Sequence, residues 1–220
     1  MKLSNTVVAA LAGVVMAFAV SAARAQSASS PPASPASQPH AAHAAEEGAV
    51  AETPRVPRYL LRGPNGRAVT SDTFRGRLQI VTFGFTSCAD VCPTTLLELQ
   101  QVLRALGPRA AQVQVLFVSV DPERDTPDVL AAYTQAFDPR IAGLGGSEAL
   151  VRRAAESFGV VYRKVQTPGA APNAYTMDHS AGLYVLGPDG VWLGKIGFGT
   201  PVADIVRRIE EYIDAAFAPR

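Results

Sequence analysis

An α/β fold, a mixed sheet flanked by helices on both faces, is what this sequence predicts, and three observations carry that expectation. Residues 78–84 (Leu-Gln-Ile-Val-Thr-Phe-Gly) and 113–120 are almost continuously apolar, as parallel strands covered on both faces are. Between them, Leu96, Leu99, Leu103 and Leu106 recur at helical spacing over 93–106. Farther on, Gly187-Pro188-Asp189-Gly190 between two apolar runs marks an antiparallel hairpin, and a terminal amphipathic helix follows it.

In chain order, the first segment stands apart from the fold. Lys2 supplies a short basic region, residues 7–20 are an apolar run, and Ala23-Arg24-Ala25 has the small-x-small form of a cleavage site. Residues 1–25 therefore read as an export signal. The run is shorter than the about 20 apolar residues a spanning helix needs, and an uncleaved N-terminal membrane anchor is the alternative. Residues 26–55 are rich in Ala, Ser and Pro, as in Ser30-Pro31-Pro32-Ala33, and bury too little to order themselves. They read as a tether. What remains, 56–220, is one domain of ordinary size. Twenty Lys and Arg against 19 Asp and Glu leave a formal net charge of +1, which offers no hold for nucleic acid.

Within that domain, Gly63-Pro64-Asn65-Gly66 separates 59–62 from 67–70 as the turn of an N-terminal hairpin. The strand at 78–84, the helix at 93–106 and the strand at 113–120 come next. Thr126-Pro127-Asp128 joins an N-cap, a proline at the first helical position and an acid in the first turn, opening a helix to about residue 137. Ser147 is placed to cap another helix carrying Leu150, Val151, Ala154 and Phe158, and 160–165 is a short β-branched run. The hairpin strands fall at 183–186 and 191–196. Thr200-Pro201 opens the last helix, with Val202, Ile205, Ile209, Tyr212 and Ile213 on one stripe.

The only two cysteines, Cys88 and Cys92, stand between the first long strand and its helix, where a thioredoxin-like fold carries its active thiols. On a helix of about 3.6 residues per turn, an i, i+4 pair shares one face. A helix start also favours thiolate over thiol. Three kinds of chemistry fit such a pair. A structural disulfide suits an exported chain, although a bridge closing so short a loop stabilises little. Thiol–disulfide exchange is the second, with one residue more between the cysteines than the usual Cys-x-x-Cys. The third is a metal site, since thiolates are soft donors that select Cu(I), or zinc where four ligands gather.

His179 is the one histidine of 56–220, in Tyr175-Thr176-Met177-Asp178-His179-Ser180 just before a core strand; His40 and His43 lie in the tether. Two sulfurs and one imidazole suit trigonal Cu(I), whereas a closed zinc site lacks a fourth ligand. Asp178-His179-Ser180 is no catalytic triad, because neighbours in extended chain point to opposite faces. Met177 beside a core strand is expected to pack, and His40 with His43 to be solvated.

With those residues identified, 56–220 resembles the SCO/SenC family of copper-binding, thioredoxin-like proteins over nearly its whole length. Phe83-Gly84-Phe85-Thr86-Ser87-Cys88 through Cys92-Pro93-Thr94-Thr95 is similar to the family's Cys-x-x-x-Cys-Pro signature. Residues 118–127 (Val-Ser-Val-Asp-Pro-Glu-Arg-Asp-Thr-Pro) match a second block, and Asp178-His179-Ser180 a third. The family pattern often has Pro where this chain has Ala89, a change that bears on loop stiffness rather than ligation.

The resemblance implies copper, Cu(I) or Cu(II), held by Cys88, Cys92 and His179, with Cys88 and Cys92 also a redox-active disulfide pair. Asp121 would lie on a loop near the site or simply form a turn before Pro122. The implied function is a metallochaperone rather than an enzyme. It delivers copper to, or reduces the cysteines of, the dinuclear copper site of cytochrome c oxidase subunit II. A periplasmic location and an upstream copper donor go with it. The alternative function is a thiol–disulfide oxidoreductase acting on a partner's cysteines, and a weaker third is a peroxiredoxin-like peroxidase.

Overall fold

Unbroken apolar sequence makes the middle of the sheet. In a computed structural model, which describes residues 54–218 other than 167, 170, 172 and 173, β3 (Leu78–Gly84) and β4 (Val113–Ser119) are buried at every position. The two run parallel from Leu78 opposite Val113 to Gly84 opposite Ser119. At one side β5 (Ile141–Leu144) extends the sheet in parallel. At the other, β8 (Leu183–Leu186) and β9 (Trp192–Ile196) add antiparallel, giving the order β5-β4-β3-β8-β9. This is the thioredoxin-like mixed sheet that the sequence predicts. The expected signal or anchor (1–25), His40 and His43, and the tether up to 53 lie outside the described residues.

Helices cover both faces. α1 (Val91–Ala105) buries Leu96, Leu99, Val102 and Leu103 and packs against α4 (Val202–Phe217), whose Ile205, Ile209 and Ile213 are buried. On the opposite face Phe83 and Tyr184 close edge-on against Phe158 of α3 (Glu148–Phe158), at 5.5 and 5.8 Å between ring centres. Such tilted aromatic contacts add to the burial itself. α2 (Pro127–Gln135) starts as its sequence dictates, with Thr126 Oγ1 accepting the Val129 N–H at 3.3 Å. Ser147 caps α3 differently from the expectation. Its side chain makes no cap bond, and its carbonyl accepts the N–H groups of Leu150 and Val151 at 2.9 and 3.0 Å.

The N-terminal hairpin is present as β1 (Leu60–Arg62) and β2 (Ala68–Thr70), turned by Asn65 at φ 57°. The packed structure reaches back to Arg55, whose guanidinium lies 4.5 Å from the Trp192 ring centre and bonds the Ser157 carbonyl at 2.9 Å.

Two strands go beyond the expectation. β5 is only four residues long and contains Gly143, too short and too glycine-rich to stand out. β7 (Tyr175–His179), expected as a polar loop, pairs antiparallel with β6 (Tyr162–Gln166) in a two-stranded ribbon of its own. Among the described residues, no helix is long and apolar enough to cross a membrane.

At Gly143 α2 lies close against the sheet, since a Cβ there would meet the Leu130 carbonyl oxygen at 2.7 Å. Backbone cannot step aside as a side chain can. Gly143→Ala is therefore expected to lower unfolding free energy by about 1–3 kcal/mol, the usual cost of overpacking. Urea unfolding checks it, and a loss under about 0.5 kcal/mol, the scale of an ordinary surface change, would contradict the packing described.

Candidate metal centre

β3 runs out at Gly84, and Phe85 to Asp90 forms a turn before α1 begins at Val91. Cys88 lies in that turn, its N–H donating to the Phe85 carbonyl at 3.3 Å, and Cys92 lies in the first turn of α1. The pair is thus not set on one helical face, as its spacing suggested. The helix starts two residues earlier than expected and three residues after Cys88, because Pro93 is tolerated inside a first turn. Both thiols are free.

Cys92 is buried, and its Sγ is 3.8 Å from His179 Nε2 across 87 positions of sequence. His179 ends β7, with Nδ1 3.2 Å from the Ser180 carbonyl oxygen. A carbonyl only accepts, so Nδ1 carries the hydrogen in this contact. A neutral ring then keeps its lone pair on Nε2, facing the sulfur. Metal–sulfur and metal–nitrogen bonds of about 2.3 and 2.0 Å at roughly 110–120° separate their donor atoms by roughly 3.5–3.8 Å. The observed approach fits one ion between Cys92 and His179. Among the described residues, no three His, Cys, Asp or Glu side chains stand gathered as a ready-made cage, and Cys88, in the turn before α1, is the second sulfur that could join an ion there.

The two sulfurs differ electrostatically. Burial pushes the Cys88 thiol up, but the backbone N–H groups of Asp90, Cys92 and Val91, together with the Cys92 thiol, outweigh it and hold Cys88 below its usual value. Burial pushes Cys92 up to about 12; the Phe85 N–H opposes this, and Cys88 and the Asp125 carboxylate reinforce it. A helix start therefore favours the thiolate only for Cys88. At Cys92 desolvation is the larger effect.

Glycine makes the room. A Cβ on Gly84 would sit 2.8 Å from Cys92 Sγ and 2.7 Å from Phe117 Cε2. Behind His179, Thr82 Oγ1 donates to the Gly182 carbonyl at 3.2 Å and ties the end of that loop to β3.

Residues that sequence reasoning passed over hold the cysteine turn. Asp125 is buried and accepts from Thr86 N at 3.1 Å, Thr86 Oγ1 at 2.6 Å and Ser119 Oγ at 2.5 Å. Beside the N-cap Thr126 it looked like part of a helix start. Asp121, expected near the site or as a turn former, is buried in an ion pair with Arg124 and accepts from Tyr175 OH at 2.7 Å. Asp178 points away from His179 and pairs with Arg163 at 2.6 Å, so no triad forms, and Met177 packs in the core.

Comparison with known proteins adds an independent finding. A family model described as SCO1/SenC matches residues 49–214. The "SCO2-like protein" of Rickettsia felis is 36% identical over 129 residues, 59% of this chain and 62% of that protein. "Protein SCO2 homolog, mitochondrial" of Homo sapiens is 40% identical over 148 residues, 65% of this chain and 55% of that protein. The chain thus spans 55–62% of the length of these curated relatives. Among solved structures, Bradyrhizobium japonicum ScoI with copper bound superposes with a TM-score of 0.65 at 37% identity, covering 71% of this chain and 98% of that one.

The difference between the sulfurs is directly measurable. At pH 7 iodoacetamide is expected to label Cys88 first and Cys92 only after the fold is opened. The Cys88 rate should rise with pH through a midpoint below the about 8.5 of a free thiol, because its thiolate is favoured. Equal labelling of the two, or a midpoint above that of a free thiol, would overturn the assignment.

Proposed function

Because this chain belongs to the SCO1/SenC family, we propose that it binds copper as cargo through Cys88, Cys92 and His179 and passes it to a cytochrome c oxidase. The observation that carries this reading is the 3.8 Å approach of Cys92 Sγ to His179 Nε2, two donors of different softness delivered by distant segments. Thiolates favour Cu(I), and the imidazole completes a three-coordinate set that leaves cargo accessible from the Cys88 side. A chaperone needs such an open site, since a closed four-ligand cage would retain its metal. In this reading the acceptor is the dinuclear copper site of subunit II. The mature domain works in the periplasm after a leader or anchor (1–25) and a tether (26–55), with a separate donor loading it.

The same sulfurs act as a switch. Joining Cys88 to Cys92 as a disulfide takes away both thiolates, leaving one imidazole and no soft site. Loading also displaces protons, from buried Cys92 above all, because only the thiolate is a ligand. Copper uptake thus depends on the redox state and on pH.

A second function draws on a specific observation. A partly exposed Cys88 with a favoured thiolate, beside a buried Cys92 without one, is also how an attacking and a resolving thiol are arranged. That function is reduction of a partner's cysteines, and it requires no imidazole.

Competition titration of the reduced protein with a chromophoric Cu(I) chelator separates the two. Cys88→Ser, Cys92→Ser and His179→Ala are each expected to weaken Cu(I) binding more than tenfold, about 1.4 kcal/mol, and the oxidised protein to bind none. Unchanged affinity in any of the three would sink the ligand set. Full thiol exchange in His179→Ala, with wild-type copper affinity, would shift the assignment to the reductase.

A further inference from the structure

Among the described residues, the ribbon that carries His179 does not pair with the central sheet: β6 and β7 pair only with each other. A two-stranded ribbon is marginal on its own, so side chains must hold this one in place. Along β7 the alternation turns Tyr175, Met177 and His179 to the same side, and Thr176 and Asp178 to solvent. Met177 packs in the core. Tyr175 is held by Arg124, whose guanidinium carbon lies 3.8 Å from the Tyr175 ring centre and 5.7 Å from that of Phe85. Arg124 Nη1 also donates to the Tyr175 carbonyl at 3.0 Å, and its Nε pairs with buried Asp121, which accepts from Tyr175 OH at 2.7 Å. On the outer face of the same ring, Lys164 Nζ lies 3.8 Å from the centre and binds Glu123 at 2.6 Å.

One guanidinium therefore touches both halves of the site. Phe85 opens the turn that bears Cys88 and meets the His179 ring edge-on at 6.1 Å. Asp125, one residue after Arg124, holds Thr86 in that turn. We infer that Arg124 is a positioning residue: clasped between the Phe85 and Tyr175 rings, it docks the β6–β7 ribbon on the cysteine turn and so sets the reach from His179 to the sulfurs. A planar cation suits this place because it can stack on two rings while its edge donates, which an ammonium cannot do. Releasing the clasp would free the imidazole while Asp125 still holds the cysteine turn through Thr86. It would lower copper affinity through His179 alone.

This inference rests on the copper reading, and two measurements keep their fates apart. Arg124→Ala removes the clasp, Tyr175→Leu cuts it from the other side while leaving the Asp121–Arg124 pair, and Arg124→Lys keeps the charge without the planar fork. In the reduced, metal-free full chain, amide hydrogen exchange at 176–179 is expected to speed up about tenfold or more in Arg124→Ala and Tyr175→Leu, and less in Arg124→Lys. Exchange in the central strand 78–84 should stay as in wild type. In Cu(I) competition the first two variants should bind about tenfold more weakly, in the range usual for residues that orient a ligand. The same substitutions made in His179→Ala should change affinity by less than about threefold, because residues acting through one another are not additive. Unchanged exchange at 176–179, or an equal loss of affinity with and without the imidazole, would overturn the positioning role. Should wild type bind no Cu(I), the copper reading falls, and the exchange measurement alone still decides whether Arg124 docks the ribbon.

Discussion

Everything at this site depends on one approach between a sulfur and an imidazole nitrogen that the chain could not make locally. Cys92 is brought in by the crossover from β3 into α1, and His179 by the ribbon that leads into β8. The antiparallel register of β8 on β3, with Gln79 opposite Leu186 and Val81 opposite Tyr184, fixes where the chain leaving His179 joins the sheet. The Thr82 bond to Gly182 ties that junction down. Gly84 then leaves the gap in which the sulfur sits. Sheet register, one hydroxyl and one missing side chain each help to bring the two donors together.

That placement has a cost, and the cost is informative. Burying Cys92 near Phe117 disfavours its thiolate, so in the metal-free site this sulfur stays a neutral thiol beside the imidazole. Such a pair is stable without cargo and becomes a strong donor set only when a soft cation displaces the proton. Cys88, less buried and surrounded by backbone N–H groups, is the sulfur ready to meet whatever arrives. In the proposed copper reading, a division of labour follows from depth: an outer thiolate for capture, and an inner thiol and imidazole for retention. It also explains why copper carriage and thiol exchange compete as readings, since the same difference between sulfurs serves both.

Much of the framework was legible in the sequence because its signals are local. The apolar runs of β3 and β4, the Thr126-Pro127-Asp128 start of α2 and the Gly187–Gly190 turn between β8 and β9 each declare themselves within about ten residues. β5 and β7 did not. Ile141–Leu144 is too short to show a period, and β7 alternates with polar residues whose partners, Arg163 for Asp178 and Asp121 for Tyr175, come from elsewhere in the chain. At the site, Cys88, Cys92 and His179 were marked by scarcity, being the only such side chains of the domain. Asp125 and Arg124 were hidden by abundance, since an acid and a base before a helix start look like ordinary capping and surface charge. Their burial, which gives them their roles, is a property of the fold. The helical reading of the Cys88–Cys92 spacing failed for a related reason: spacing cannot say where a helix begins.

The claim at the centre of this account is that two sulfurs and one imidazole nitrogen close on a single copper ion. Copper K-edge X-ray absorption on the reduced protein loaded with one equivalent of Cu(I) addresses it directly. The account predicts a first shell of two sulfurs and one nitrogen, with the outer-shell scattering of an imidazole ring that disappears in His179→Ala. A shell of sulfur alone, or one that stays the same when His179 is replaced, would contradict it.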